Sequence, residues 1–234
     1  MVETQQSEKP KAPAVRPRDA ATLILVKREG PEPMVLMGQR HAGHVFMPNK
    51  VVFPGGRVDP SDHRITPTAD LKLDVTEALM RKCTGINPKA IALAAIRETF
   101  EETGLLVGAP HQGKSPTRSK AWDAFYREGV APRLDILDLI ARAITPPYRP
   151  RRFDARFFMA DASHIQGDLH NTGRASGELL DLHWVPLAKA RELDLPSITR
   201  RVLDEIEARL NEPETPRPIP FFRVVHGKHN FEDL

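Results

Sequence analysis

The sequence predicts one α+β domain, a mixed sheet with helices packed on its faces. Three observations point to that class. Short apolar, β-branched runs recur along the chain, at 20–26, 34–37, 51–53, 153–160 and 179–185. Helical patterns lie among them without the strict strand–helix–strand rhythm of a doubly wound parallel sheet. The 234 residues are 40% hydrophobic and 28% charged, an ordinary composition able to bury one sizeable core.

Taken in order, residues 1–18 hold Pro10, Pro13 and Pro17 among Lys, Glu and Gln with little to bury, and read as a disordered tail. The domain proper runs over 19–212. Strands at 20–26 and 34–37 flank Gly30-Pro31-Glu32-Pro33, which reads as a hairpin turn. A short apolar strand at 51–53 enters Gly55-Gly56, followed by a second short strand. The stretch 63–87 carries a helix over about 73–83 that stops near Gly85. Asn87 and Pro88 then suit the N-cap and first turn of a helix of about 16 residues, with Gly104 as its left-handed stop. A loop is expected at 107–118, helices at about 119–129 and 134–142, and a polar loop at 161–178. A long amphipathic helix at about 196–211 precedes a proline-rich C-terminal extension, 213–234, that includes the apolar piece 221–225.

A formal net charge of +3 is too small to argue for nucleic acid, and Arg149, Arg151 and Arg152 lack the aromatic interleaving of a recognition module. The single cysteine, Cys83, excludes an intrachain disulfide framework and fits a cytoplasmic setting. No apolar run approaches 18 residues, so no membrane span is expected. A homodimer is left open.

The chemistry is concentrated in Arg97-Glu98-Thr99-Phe100-Glu101-Glu102-Thr103-Gly104. Residues three and four apart are neighbours on a helix, so Glu98, Glu101 and Glu102 crowd one side, each pair repelling by a few tenths of a kcal/mol. They also sit in the last turns, where the helix dipole opposes negative charge. An isolated Glu-rich face is usually solvated surface. Here the glycine pair upstream, which lets backbone approach an ion or phosphate closely, favours a hard cation with oxygen ligands.

With these residues the chain resembles the Nudix hydrolases, whose signature runs Gly, five residues, Glu, seven residues, then Arg-Glu-aliphatic-x-Glu-Glu-x-Gly-aliphatic. Gly56 matches the first glycine; Arg97, Glu98, Glu101, Glu102, Gly104 and Leu105 match the second half, with Thr99 in an aliphatic place. Arg97 stands 41 residues after Gly56 where an unbroken box would put it 14 after, so 27 residues are inserted. Asp62 holds the place of the first Glu counted from Gly56, and Lys89 holds it counted back from Arg97. The first Glu, which in the family braces the Arg, is thus either replaced by Asp62 or lost.

The resemblance implies an α/β/α sandwich and a diphosphatase using Mg²⁺ or Mn²⁺ on an anionic small-molecule diphosphate. It makes Glu98, Glu101, Glu102 and the Gly56 carbonyl the metal ligands, with Glu98 a ligand or base and Arg97 an orienting residue. Gly55 and Gly56 would approach the substrate. Glu178, at the end of the polar loop, takes the place of the family's additional carboxylate, and Asp154 is a weaker candidate for it. Arg40 and Arg152 are candidate phosphate-binding cations. His41 and His44 flank Gly43 but lack a third ligand at metal spacing. Trp184 and Phe100 read as core. The interrupted box resembles the subgroup that includes a mammalian peroxisomal coenzyme A diphosphatase, which makes coenzyme A or acyl-CoA the first substrate expectation. ADP-ribose and dinucleotides are the alternatives, as is a ligand-sensing domain without activity.

Overall fold

A computed structural model describes residues 15–43 and 47–234, so His44 and most of the N-terminal tail lie outside the described residues. The strands are β1 (Arg18–Lys27), β2 (Met34–Arg40), β3 (Val51–Val52), β4 (Gly55–Arg57), β5 (Leu106–Val107), β6 (Ala109–Pro110), β7 (Val130–Ala131), β8 (Asp138–Ile144), β9 (Phe153–Asp161), β10 (Ile165–Gln166), β11 (Leu179–Pro186), β12 (Pro220–Val225) and β13 (Lys228–Asp233). The helices are α1 (Leu73–Met80), α2 (Pro88–Thr103), α3 (Lys120–Arg127), α4 (Leu187–Ala190) and α5 (Ser197–Asn211), with a 3₁₀ turn at Asp62–Arg64.

β1 organises the sheet because its apolar residues serve both faces. Leu23 and Leu25 pack into one core layer and Ile24 and Val26 into the other, all fully buried. Each such side chain contributes about 1.5–3 kcal/mol. β1 pairs parallel with β9, from Arg18 with Phe153 to Val26 with Asp161, and antiparallel with β2 and β4. The order β11-β2-β1-β9-β8-β12-β13, with β3 on β2 and β4 on β1, makes a mixed nine-stranded sheet among the described residues. Helices α1, α2 and α3 cover one face, and α4 and α5 the other. The result is the expected α/β/α sandwich. No helix among the described residues is long and apolar enough to cross a membrane.

Three readings change. The helix expected at 134–142 is instead a turn followed by β8. β8 lies between β9 and β12, and Leu139, Ile140 and Ala141 are all buried. A strand buried on both faces shows no alternation and cannot be told from a buried helix by period. The loops at 107–118 and 161–178 contribute strands to two short ladders, β6 with β7 and β10 with β5. The C-terminal segment joins the main sheet: β12 pairs parallel with β8 and returns as β13 through His226-Gly227, both at positive φ (49° and 77°). That is the backbone a two-residue hairpin turn requires.

Asp154 is structural. Its carboxylate holds the Arg142 guanidinium in two bonds, at 2.8 and 2.6 Å, and meets Arg156 at 3.3 Å. Arg156 also pairs with Asp19. This ionic cluster ties β1, β8 and β9 together beyond the end of the apolar core.

Candidate active site

The helix that carries the acidic residues is fixed at both ends. Asn87 Oδ1 accepts the Ala90 N–H at 3.2 Å, and Pro88 occupies the first turn. Gly104, at φ 76°, ends the helix with its N–H on the Phe100 carbonyl at 2.8 Å. Between them α2 is buried on nearly every side. Thr99 tolerates burial because its hydroxyl donates to the Ala95 carbonyl at 2.8 Å. Phe100 packs edge-on against Phe125 in the core.

The acidic stripe faces the glycine turn rather than open solvent. Glu102 is 3% exposed, and its Oε2 accepts the Gly55 N–H at 2.8 Å. The Glu98 carboxyl lies so close over Gly56 that a Cβ there would stand 2.4 Å from it. At Gly55 a Cβ would meet the Ala21 carbonyl oxygen at 2.5 Å. Gly55 therefore requires glycine, because its neighbours are backbone, whereas a side chain at Gly56 would have to displace the Glu98 carboxyl.

Arg97, 6% exposed, spends all five donors. Nε and Nη2 grip Asp62 at 2.8 and 3.0 Å, Nη2 also donates to the Arg57 carbonyl at 2.8 Å, and Nη1 reaches Glu98 at 2.9 Å and Glu101 at 3.3 Å. Burial opposes its charge, but Asp62, Glu98 and Glu101 outweigh that and hold its pKa above the ordinary arginine range. Asp62 thus holds Arg97 in place, and the glycine turn meets the acidic helix in space. Its fully buried carboxylate also accepts the Trp122 indole N–H and the Asp59 N–H, each at 2.8 Å. Sequence reasoning missed Trp122, since nothing local marks which residue of α3 would reach a turn 60 positions earlier.

The remaining carboxylates lack such compensation. Burial pushes Glu98 up to about 7 against the pull of Arg97, with Glu101 and Glu178 adding repulsion. Burial pushes Glu102 up to about 8; the Gly55 N–H and Arg40 oppose the rise, while Glu98 and Glu178 add to it. Glu101 is raised as well, by burial first. Exposed Glu178 is thus within electrostatic reach of all three, and its loop is tied to the helix by Ser176 N–H on the Glu101 carbonyl at 2.7 Å. Arg40 lies on the same side.

Arg152 serves elsewhere. Its guanidinium donates to the carbonyls of Thr145 and Val15, at 2.9 and 2.7 Å, fastening the turn between β8 and β9. His41 closes a local turn by accepting the Gly43 N–H at 3.0 Å, and Trp184 donates to the Leu169 carbonyl at 3.2 Å.

Among the described residues no three His, Cys, Asp or Glu side chains converge as a ready ligand cluster. Glu98 and Glu101 are turned to Arg97, and Glu102 to Gly55. The donor set nevertheless fits a hard divalent cation: carboxylate oxygens, crowded and partly desolvated, with more negative charge than Arg97 can offset.

A scan of protein-family models and a search of curated proteins return no match. Among solved structures the chain is similar to a Nudix hydrolase from Alicyclobacillus acidocaldarius, at 28% identity and a TM-score of 0.58 over 81% of this chain and 90% of that one. It is more distantly similar to the Nudix domain of Shewanella oneidensis NrtR complexed with ADP ribose, at 14% identity and TM-score 0.47 over 87% and 94% of the two chains. A C. elegans Ap4A hydrolase follows at 16% and 0.43 over 83% and 99%. The likeness rests on the first of these, and the salt bridge of Arg97 with Asp62 accompanies it. The chain has the Nudix fold and is similar to Nudix hydrolases, a class of pyrophosphohydrolases.

Proposed function

We propose that the protein hydrolyses the diphosphate bond of a nucleoside diphosphate-linked metabolite with the help of Mg²⁺ or Mn²⁺, and that coenzyme A or an acyl-CoA is its substrate. The observation that carries the metal-dependent reading is the crowding of Glu98, Glu101 and Glu102 at one helix end, where their carboxyls give up protons less readily than ordinary glutamates although Arg97 touches two of them. These three residues and the Gly56 carbonyl would hold the cation. When bound, a cation of this kind offsets pyrophosphate charge and acidifies a water.

The chain's own residues supply the rest. Arg97 fixes the orientation of Glu98 and Glu101 while Asp62 fixes Arg97. Glu178, exposed and within electrostatic reach of Glu98, Glu101 and Glu102, would accept a proton from water. Arg40, close enough to lower the Glu102 pKa, is the cation suited to a substrate phosphate. The coenzyme A assignment is supported by the interrupted box.

The test is a substrate screen with Mn²⁺ over coenzyme A, acetyl-CoA, ADP-ribose, NADH and dinucleoside polyphosphates. Release of a phosphopantetheine from coenzyme A is expected to dominate. Preferred turnover of ADP-ribose or a dinucleotide would replace the substrate assignment, and inactivity on every compound would remove the proposal. Glu101→Gln is expected to lower kcat by about a hundredfold or more while leaving the thermal midpoint within a few degrees. An unchanged rate would take Glu101 out of the ligand set.

A further inference from the structure

The last strand of the sheet carries a pattern that the hydrolase site does not use. β13 pairs with β12 along one side, and among the described residues no strand pairs with its other side. The pair Val225–Lys228 closes the two-residue turn, and the Leu234 N–H donates to the Ile219 carbonyl at 2.9 Å. Backbone direction alternates along an antiparallel strand, so the even-numbered residues point their amides and carbonyls at β12. His229, Phe231 and Asp233 point theirs outward, where the Asp233 carbonyl also accepts the Lys82 ammonium at 3.2 Å with a second lone pair left over. Their side chains are also exposed and share one face; Phe231 is 63% exposed although aromatic. An open strand edge beside an uncovered aromatic is a template for another strand.

We propose that this edge is a homodimer interface, in which β13 pairs antiparallel with β13 of a second copy. The two-fold axis relating such strands stands perpendicular to the sheet and maps each face onto itself. Residues facing each other must therefore both be odd-numbered or both be even-numbered. Centring the axis on Phe231 sets it against the partner's Phe231, and sets His229 against the partner's Asp233 on either side. Those outward amides and carbonyls then satisfy one another. On the opposite face Asn230 meets the partner's Glu232, so no like charges oppose. Centring on Asn230 is poorer: Lys228 would have to compete for Glu232, already held by Lys82 and Arg223, and Asp233 would face the glycine of the turn. The strand is complementary to its own reverse. One strand pair buries less than the roughly 1,200 Å² of a stable standard interface, so the dimer forms in the micromolar range.

Analytical ultracentrifugation of the full chain from about 1 to 100 µM should show the mass rising from 26.2 kDa towards twice that value. Phe231→Pro removes an outward-facing N–H, at a position where edge strands tolerate proline, together with the ring contact to Phe222 at 5.4 Å. It should leave the circular dichroism spectrum and hydrolysis intact and abolish the dimer. Asp233→Lys should also give a monomer, and His229→Glu added to it should restore association. Should Phe231→Pro disturb folding, the charge exchange decides alone. A chain monomeric throughout the range, or a dimer indifferent to these substitutions, overturns the proposal.

Discussion

Asp62 accepts four hydrogen bonds, two from Arg97, one from Trp122 and one from the Asp59 amide. Arg97 in turn holds two of the acidic side chains, so the indole of Trp122 acts on the site at second hand. Trp122→Phe keeps the ring in the core and deletes that one donor. It should destabilise by about 0.5–1.5 kcal/mol. If positioning is the role, kcat should also fall about tenfold with KM unchanged. Steady-state kinetics on the preferred substrate separates this from a purely structural effect, which would leave kcat per folded molecule intact. At this scale the sequence was informative wherever chemistry follows helical spacing, as for Glu98, Glu101 and Glu102. Asp62 was half-visible, placed correctly from Gly56 but cut off from Arg97 by the insertion. For Arg152, a cation suited to phosphate is equally suited to backbone carbonyls, here those of Thr145 and Val15.

Among the elements, α2 announced itself through Asn87, Pro88 and Gly104, and the structure ends it at those residues. β8 did not, because a strand covered on both sides has the same apolar run as a buried helix. β8 also carries Arg142 into the ionic cluster with Asp154, Arg156 and Asp19. Arg142 and Arg156 are 3% and 0% exposed, so removal of their shared carboxylate leaves Arg142 buried without its carboxylate and Arg156 with Asp19 alone. Asp154→Ala should cost about 3–5 kcal/mol in urea denaturation. Because the cluster lies outside the acidic site, turnover per folded molecule should be unchanged. A loss below 1 kcal/mol would mean that water takes over the carboxylate's place.

For the molecule as a whole, the acidic site opposes folding. Glu98 at about 7 and Glu102 at about 8 stand above the ordinary glutamate value of 4.5. The folded chain therefore holds protons that the unfolded chain releases between about pH 4.5 and 8. Stability is fullest below that window and declines as pH rises through it. A cation prefers the deprotonated carboxylates, so it should offset most of the decline. Thermal midpoints measured across this range in chelator should fall with pH, and in Mn²⁺ they should fall much less. Parallel curves would show that the carboxylates are not the binding site. The layers and the sandwich were readable from short apolar runs and helical periods. The strand order was not, since the pairing of β1 with β9 joins residues that no local signal connects.

That central pairing also governs how the chain is made. β1 emerges early from the ribosome and finds β2 and β4 within the next 40 residues. Its other edge waits for β9, whose first pair joins Arg18 to Phe153, a separation of 135 residues (153 − 18). At roughly 5–20 residues per second, the interval is on the order of ten seconds. Throughout it the nascent chain presents a strand open along one edge and bearing Leu23, Ile24, Leu25 and Val26. The strand that holds the finished enzyme together is thus the one most in need of a chaperone while it is being built.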